Sequence, residues 1–173
     1  CTTCTLDNPF YPCKKVPIPP RAPEEFISHL LEMNRKFIKQ AKAELKAGKK
    51  KSHWIWYIFP QPLNVFDDVQ LRHINPEDIS IETKKYSFNS YIEAFAFIDN
   101  EELLNNYYNV LNIVYKNIRA GINISAMMSN VDRDKLKSSV EYIKNIILLK
   151  LKNYGTISKK QEKLLKLINK FNS

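Results

Sequence analysis

The chain has 173 residues, of which 44% are hydrophobic, and it carries a formal net charge of +9 at pH 7. This length suffices for one sizeable hydrophobic core, so we expect a single domain. No stretch approaches the roughly 18 uncharged apolar residues that a membrane span needs. The most apolar run, residues 143–151, is interrupted by Lys144 and Lys150, and no membrane span is expected.

The positive charge raises the question of nucleic-acid binding. Lysine outnumbers arginine 22 to 5, and neither an arginine–glycine tract nor a zinc-finger pattern accompanies it. A lysine-rich solvated surface accounts for such a composition, and it attracts phosphate weakly at low salt in either case. We therefore expect no specific nucleic-acid partner. The residues that would serve in that role belong to the last segment: Lys159, Lys160, Lys163, Lys166 and Lys170.

Residues 1–23 differ from the rest of the chain because they combine six prolines with all three cysteines, Cys1, Cys4 and Cys13. The proline density predicts an extended arm instead of a helix. Three thiols are fewer than the four ligands of a structural zinc, so we predict no metal and no other cofactor. The chain starts without methionine, as a fragment, a processed product or a trimmed protein would, and shows no signal peptide. We expect a soluble, intracellular protein.

Apolar residues recur at spacings of three and four over most of the remaining chain, which predicts amphipathic helices. Residues 62–87 are predicted to be irregular, with a short strand at 78–83 as an option. The fold class is therefore all-α, a compact single-domain bundle with an extended arm at 1–23, a helical domain at 24–155 and an additional basic helix at 156–173. The first helix is predicted from Pro23 to about Lys46, with Gly48 as its stop. Two further helices are predicted to start at Ser90 and at Asn100, and the second of these ends at Gly121. Another helix is predicted from Asp132 or Arg133 to near Gly155, and the last one starts at Ser158.

The segment Gly48–Gln61 reads GKKKSHWIWYIFPQ and contains both tryptophans of the chain. Periodicity cannot decide between helix and strand in so apolar a run, and the flanking helices favour a helix over 53–59 that Ser52 would cap. Ile55, Ile58 and Phe59 are predicted core residues.

The polar and aromatic residues of this segment allow two interpretations. His53 is either hydrogen-bonded within the protein or a catalytic imidazole. Trp54 and Trp56 either belong to the core or stack on a base or sugar. The lysines before them, including Lys50 and Lys51, form either a solvated turn or a clamp for an anion.

The pattern Gly-x-Lys-x-Ser-His-Trp-x-Trp-x-Ile-Phe-Pro-Gln resembles the signature of the family called domain of unknown function eighteen-ten. Two later blocks are similar to that family as well, namely residues 86–98 with Glu93-Ala94, and Val131-Asp132-x-x-Lys135-Leu136-x-Ser138-Ser139-Val140. The family's loop after Pro-Gln is usually short and contains glycine, whereas residues 62–87 here are longer and lack glycine.

The resemblance implies a compact helical domain and a loose similarity to helical domains of NAD and ADP-ribose metabolism, some of which are N-glycosidases. The first hypothesis is therefore a binding protein or N-glycosidase for a nucleotide-sugar such as ADP-ribose. Its catalytic candidates are His53, Glu93 and Asp132. Its ligand-binding candidates are Lys50, Lys51, Trp54, Trp56, Gln61, Lys135 and Ser139.

A second hypothesis is a non-enzymatic interaction module, whose arm, long loop and terminal helix would contact a protein partner. Under this hypothesis the residues of the third block have structural roles. Asp132 would be a helix N-cap and Lys135 a surface residue, and Ser138 and Ser139 would permit close helix packing. The weak nucleic-acid contact described above is the third hypothesis.

Overall fold

The computed structural model describes residues 21–63 and 85–173. The predicted arm up to residue 20 and the strand predicted at 78–83 lie outside the described residues. Within them the chain forms seven α-helices and no strand, which confirms the all-α prediction. The helices are α1 (Pro23–Lys46), α2 (Ile55–Ile58), α3 (Tyr91–Asp99), α4 (Glu101–Arg119), α5 (Ile124–Met127), α6 (Asn130–Tyr154) and α7 (Lys159–Phe171).

Most helix ends follow from local sequence signals. Pro23 occupies the first turn of α1, where the missing N–H costs nothing. The Ser90 hydroxyl accepts a hydrogen bond from the Glu93 N–H at the start of α3, and Ser158 and Gln161 form a complete capping box at α7. Gly155 ends α6 with φ at +75°, a conformation that favours glycine.

Two predicted helix starts are wrong. Helix α6 begins at Asn130, because the Ser129 hydroxyl accepts from the Asp132 N–H; Asp132 therefore lies in the first turn and is not the N-cap. The helix predicted over 53–59 is a single turn, Ile55–Ile58, without a side-chain cap. The Ser52 hydroxyl accepts a hydrogen bond from the Gln40 side chain, so it does not cap that turn.

One hydrophobic core joins all the long helices. Helix α1 packs against α3 and α4, and α6 and α7 complete the bundle. Ile55, Ile58 and Phe59 of the signature segment are each 1% exposed, as predicted for core residues. The apolar face of α7 belongs to the same core through Leu164 and Ile168, both fully buried. None of the described helices has the length and apolar character that crossing a membrane requires.

Candidate functional site

The signature segment lies along one face of α6, and this pairing creates the candidate site. Asp132 and Lys135 are three residues apart on α6 and therefore share a face. The Lys50 ammonium is 2.9 Å from the Asp132 carboxylate. The Lys135 ammonium lies 4.5 Å from the centre of the Trp56 ring. We call Lys50, Trp56, Asp132 and Lys135 the lysine–tryptophan cluster.

Within this cluster, the ammonium of Lys135 has fewer polar partners than the ammonium of Lys50. It is partly buried, and no hydrogen bond or ion pair connects it to the described residues. Burial lowers the pKa of Lys135, Asp132 raises it in part, and Lys50 lowers it further. A cation held over an indole ring in a partly desolvated position is available to an incoming anion.

Lys50 is held much more firmly. Its side chain is 6% exposed and is paired with Asp132. Its ammonium also donates to the Ser52 carbonyl oxygen and lies 5.0 Å from the centre of the Trp54 ring. Lys50, one of the lysines predicted to bind an anion, therefore lines one side of the cluster, and Asp132 largely balances its charge.

Three buried polar atoms of the described residues have no hydrogen-bond partner there, namely Trp56 Nε1, Gln61 Oε1 and Asn89 Oδ1. Gln61 and Asn89 belong to neighbouring stretches, because the Phe88 N–H donates to the Gln61 carbonyl oxygen at 2.9 Å. Unpaired buried polar groups cost folding free energy, so each calls for an explanation. Each of the three atoms is therefore a candidate for a polar contact with a ligand.

Trp54 is part of the hydrophobic core and stabilises the fold. It is fully buried, and its indole N–H donates to Glu44 Oε1 at 3.1 Å. The same carboxylate oxygen accepts the backbone N–H groups of Lys51 and Ser52. Burial raises the pKa of Glu44, but these hydrogen bonds outweigh burial and lower it to about 2. The ring of Trp54 is therefore not accessible for stacking on a ligand.

Ser139 is likewise enclosed in the core, with no exposed surface. Its hydroxyl donates to the Pro60 carbonyl oxygen and lies 2.9 Å from the Tyr107 hydroxyl. Because serine has a single hydroxyl hydrogen, Tyr107 is the donor in the second bond. Ser139 therefore fixes the end of the signature segment to α6, as the packing interpretation predicts, and a ligand cannot reach it.

The three catalytic candidates are not joined by any hydrogen bond or ion pair among the described residues. His53 is exposed. Glu93 is 1% exposed, and both its carboxylate oxygens accept from Arg21, one of them also from the Asn89 N–H. Asp132 belongs to the lysine–tryptophan cluster. The N–H of Lys51 bonds to Glu44, and its side chain is exposed.

A cavity of about 330 Å³ lies elsewhere, between α3, α4, α6 and α7. Its polar groups already bind one another, because the Lys150 ammonium is 2.6 Å from Asp99 and 3.1 Å from Gln161. Gln161 also donates to the Ile98 carbonyl oxygen. The unpaired buried atoms of Trp56, Gln61 and Asn89 all belong to residues outside the lining of this cavity.

The lysines of α7 do not form an open basic face. All five side chains are exposed, but Lys160 is 3.6 Å from Glu101 and Lys166 is 3.3 Å from Glu162. The Lys163 ammonium lies 4.5 Å from the centre of the Tyr108 ring. These contacts are typical of a solvated helix face.

Sequence reasoning missed the roles of Arg21, Glu44 and Asn89. Arg21 lies in the segment predicted as an extended arm, and its partner Glu93 is 72 residues away, so no local pattern reveals the pair. Glu44 lies in the last turns of α1 and binds groups that follow 7 to 10 residues later, and the Asn89 N–H binds Glu93. No group of three or more histidine, cysteine or acidic side chains suited to a metal occurs in the part of the chain that the structure describes.

Comparisons with known proteins agree with this architecture. The chain is similar to the crystal structure of the conserved hypothetical protein Rv1873 from Mycobacterium tuberculosis, with a TM-score of 0.55 and 22% identity. The match covers 83% of this chain and 98% of that one, and at this identity it shows a shared fold. A search of curated proteins found no match.

The family profile described as "Protein of unknown function (DUF1810)" matches residues 25–150. The match includes the signature segment, the Glu93 block and the block that begins α6, which are the three blocks that carried the resemblance. Because it spans most of the chain, the chain belongs to the DUF1810 family.

Proposed function

We propose that the protein binds a phosphorylated nucleotide-sugar ligand, such as ADP-ribose, at the lysine–tryptophan cluster. The observation that carries this proposal is the Lys135 ammonium, which lies 4.5 Å from the Trp56 ring centre and lacks an anionic partner of its own. The indole N–H of Trp56 is buried and also lacks an acceptor among the described residues. Two donors on adjacent side chains suit an oxygen-rich anion.

The charge of the cluster favours the same class of ligand. Lys50 and Lys135 contribute two positive charges and Asp132 one negative charge, so the cluster has one net positive charge at neutral pH. Lys50 and Asp132 bind each other, which leaves Lys135 to meet the phosphate. Partial burial strengthens such an interaction because it lowers the local dielectric.

Gln61 and Asn89 supply the complementary acceptors. Residues 61–63 pair with Phe88 through two backbone hydrogen bonds of 2.9 and 3.0 Å, so Gln61 lies beside the residue that precedes Asn89. Their unpaired oxygens suit the hydroxyl groups of a ribose or the amino group of a base. In this proposal they orient the sugar or base, and Lys135 binds the phosphate.

Binding, without cleavage, is the function that these contacts support. An N-glycosidase needs a carboxylate free to activate water or stabilise a developing cation. Glu93 is paired with Arg21 and Asp132 with Lys50. His53 is exposed, and no ion pair joins it to a carboxylate of the described residues. Asp132 is the acidic residue at the cluster, so a hydrolytic activity would depend on it.

Calorimetry and thermal denaturation with ADP-ribose, ribose phosphate and inorganic phosphate test the proposal. A ligand at about one hundred times its Kd raises the Tm of a domain of this size by about 5–10 °C. Lys135→Met is expected to weaken ADP-ribose binding about tenfold or more, since it removes a charge-assisted hydrogen bond. Lys163→Met removes an ammonium at the same 4.5 Å from an aromatic ring and is the matched control.

Three results would contradict the proposal. They are the absence of any Tm shift with all three ligands, equal loss of binding in the two lysine variants, and unchanged binding in Lys135→Met. Chromatography of the ADP-ribose incubated with the protein shows in addition whether cleavage occurs, and Asp132→Asn is the variant that would abolish it.

The interaction-module hypothesis is supported by exposed apolar side chains. Ile92 is 65% exposed, Val131 63% and Tyr154 72%. Large apolar residues in water are often parts of contact surfaces. The α7 helix offers a partner only its lysine-rich side, because its apolar face is buried in the core. Light scattering of the parent protein and of the Tyr154→Lys and Ile92→Lys variants measures the mass of the particle in solution. A lower mass in the variants would show that these residues hold a complex together.

A further inference from the structure

The last turns of α6 expose three large apolar side chains. Leu148 is 40% exposed, Leu151 38% and Tyr154 72%. Each is three residues from the next, so they lie along one side of the helix as neighbours. We call these three residues the apolar strip. Single apolar residues on a surface are common, but a group of them on one face marks a contact surface.

The charge near the apolar strip has one sign. Between Glu141 and Glu162 the chain contains five lysines and no acidic residue. Two of these lysines are paired with carboxylates that belong to α3 and α4. The other three, Lys144, Lys152 and Lys159, form no ion pair with the described residues. Unbalanced positive charge therefore lies at the same end of α6 as the exposed apolar side chains.

Two of the unpaired lysines border the apolar strip directly. Lys144 and Lys152 lie four residues before and after Leu148, so both share its side of the helix. Lys152 is exposed and Lys144 is partly exposed. A lysine side chain can lay its apolar stem along such a strip while its ammonium reaches outward. Apolar residues bordered by lysines are typical of helices that rest on anionic lipid.

We propose that the end of α6 docks on an anionic lipid surface. The apolar strip enters the headgroup boundary, and the flanking lysines bind the lipid phosphates. Tyr154 suits this depth because its ring is apolar while its hydroxyl stays in contact with water. The proposal does not depend on the nucleotide-sugar site, because Asp132 and Lys135 of that site lie at the opposite end of α6.

A lipid surface fits the apolar strip better than a protein partner does. A specific protein interface buries about 800 Å² on each partner, and three partly exposed side chains fall well short of that area. A second copy of the chain would bring the same unpaired lysines to the contact, where like charges repel. Anionic headgroups supply the opposite charge, and a fluid surface requires no matched shape.

Sedimentation of the full chain with lipid vesicles tests the proposal. One set of vesicles contains phosphatidylcholine alone, and the other contains equal parts of phosphatidylcholine and phosphatidylglycerol. We expect binding to the anionic vesicles to be about tenfold stronger or more, since several lysines approach the charged surface. Added salt should weaken this binding because it screens the charges. Failure to sediment with the anionic vesicles would overturn the proposal.

Uncharged substitutions separate the apolar contribution from the charge. Tyr154→Ser removes the most exposed side chain of the apolar strip, keeps the net charge and leaves the core intact. It should weaken binding to the anionic vesicles several-fold, because less apolar surface leaves water. Val131→Ser is the matched control, since Val131 is 63% exposed at the other end of the same helix, and it should bind like the parent protein. Unchanged binding in Tyr154→Ser, or an equal loss in Val131→Ser, would overturn the proposal.

Two further measurements test the lysines and the alternative partner. Lys152→Gln should weaken binding to the anionic vesicles several-fold. Lys166→Gln should have a smaller effect, because Lys166 is already paired with Glu162 at 3.3 Å, and equal effects would contradict the proposed orientation. Light scattering without lipid completes the test. A lower particle mass in Tyr154→Ser than in the parent protein would show that a second copy covers the apolar strip, and it would overturn the proposal.

Discussion

The ammonium of Lys135 lies 4.5 Å from the centre of the Trp56 ring, which joins the first turns of α6 to the signature segment. Trp54, two residues earlier, differs from Trp56, because its ring is fully buried and its N–H donates a hydrogen bond to Glu44. The two tryptophans of one short motif therefore have different roles. Trp54 holds the fold together, and Trp56 faces the lysine of the candidate site.

Substitution of each tryptophan by phenylalanine should separate these roles. Trp54→Phe loses a charge-assisted hydrogen bond and leaves a gap in the core, so we expect a loss of about 2–4 kcal/mol in the free energy of unfolding. Trp56→Phe removes an N–H that lacks a partner among the described residues, and we expect a change of about 1 kcal/mol or less. Urea denaturation of both variants measures the difference, and equal losses would contradict it.

Glu44 should make stability depend on acid pH. Its pKa is about 2 in the folded protein, below the ordinary value of 4.5, so the folded state binds its proton less readily than the unfolded state. The resulting stabilisation is complete above the unfolded pKa and is lost as pH falls towards the folded one.

Glu44→Gln should therefore flatten stability between about pH 5 and pH 2, and it should cost about 2 kcal/mol at neutral pH after allowance for solvent screening. Chemical denaturation over this pH range measures the effect. Glu102→Gln is the comparison: the hydrogen bond from Arg35 also lowers the pKa of that carboxyl, but the pair is exposed, so a smaller change is expected. An identical acid profile in the parent protein and Glu44→Gln would show that Glu44 has no such role.

The Arg21–Glu93 ion pair should be costly to break. Its side chains are 15% and 2% exposed, and Arg21 also donates to the Lys85 and Ser87 carbonyl oxygens. Arg21→Met leaves the buried Glu93 carboxylate without its cation, and we expect a loss of about 3–5 kcal/mol.

The Arg35–Glu102 pair is the comparison for this prediction, since its side chains are 61% and 42% exposed. Arg35→Met should cost much less than Arg21→Met, because solvent screens an exposed ion pair. Thermal unfolding of both variants tests the contrast, and equally mild effects of Arg21→Met and Arg35→Met would contradict it.

Ser139 and Tyr107 should be energetically coupled. Ser139→Ala leaves both the Pro60 carbonyl oxygen and the Tyr107 hydroxyl without their partner, and we expect a loss of about 1–3 kcal/mol. Tyr107→Phe leaves the bond to Pro60 in place and should cost less. A double-mutant cycle should give a coupling of about 1 kcal/mol, and additive losses would argue against a shared network.

Local sequence signals predicted the helices well because helix formation depends on residues within one turn. The caps Ser90, Asn100 and Ser158 each bind an N–H within three residues. The prediction failed at Ser129, where a further serine cap preceded the expected start, and at Ser52, whose hydroxyl binds Gln40 on α1.

The candidate site was only partly predictable. Lys50, Trp56, Asp132 and Lys135 were all singled out from the signature and the third block, and they form the lysine–tryptophan cluster. Trp54 and Ser139 are inaccessible, because Glu44 and Pro60 bind their polar atoms inside the core. Glu93 is engaged by Arg21, a pairing across distant parts of the chain that no local pattern reveals.

The sequence by itself determined the all-α fold, the positions of the long helices and the family, since periodicity, caps and a specific motif are all local. Only the tertiary structure decided which tryptophan is buried, which carboxylates are already paired and that Lys135 is partly buried over an indole ring. Those outcomes depend on how α1, α6 and the signature segment pack together. Burial and charge pairing are properties of that packing, and the order of residues along the chain does not contain them directly.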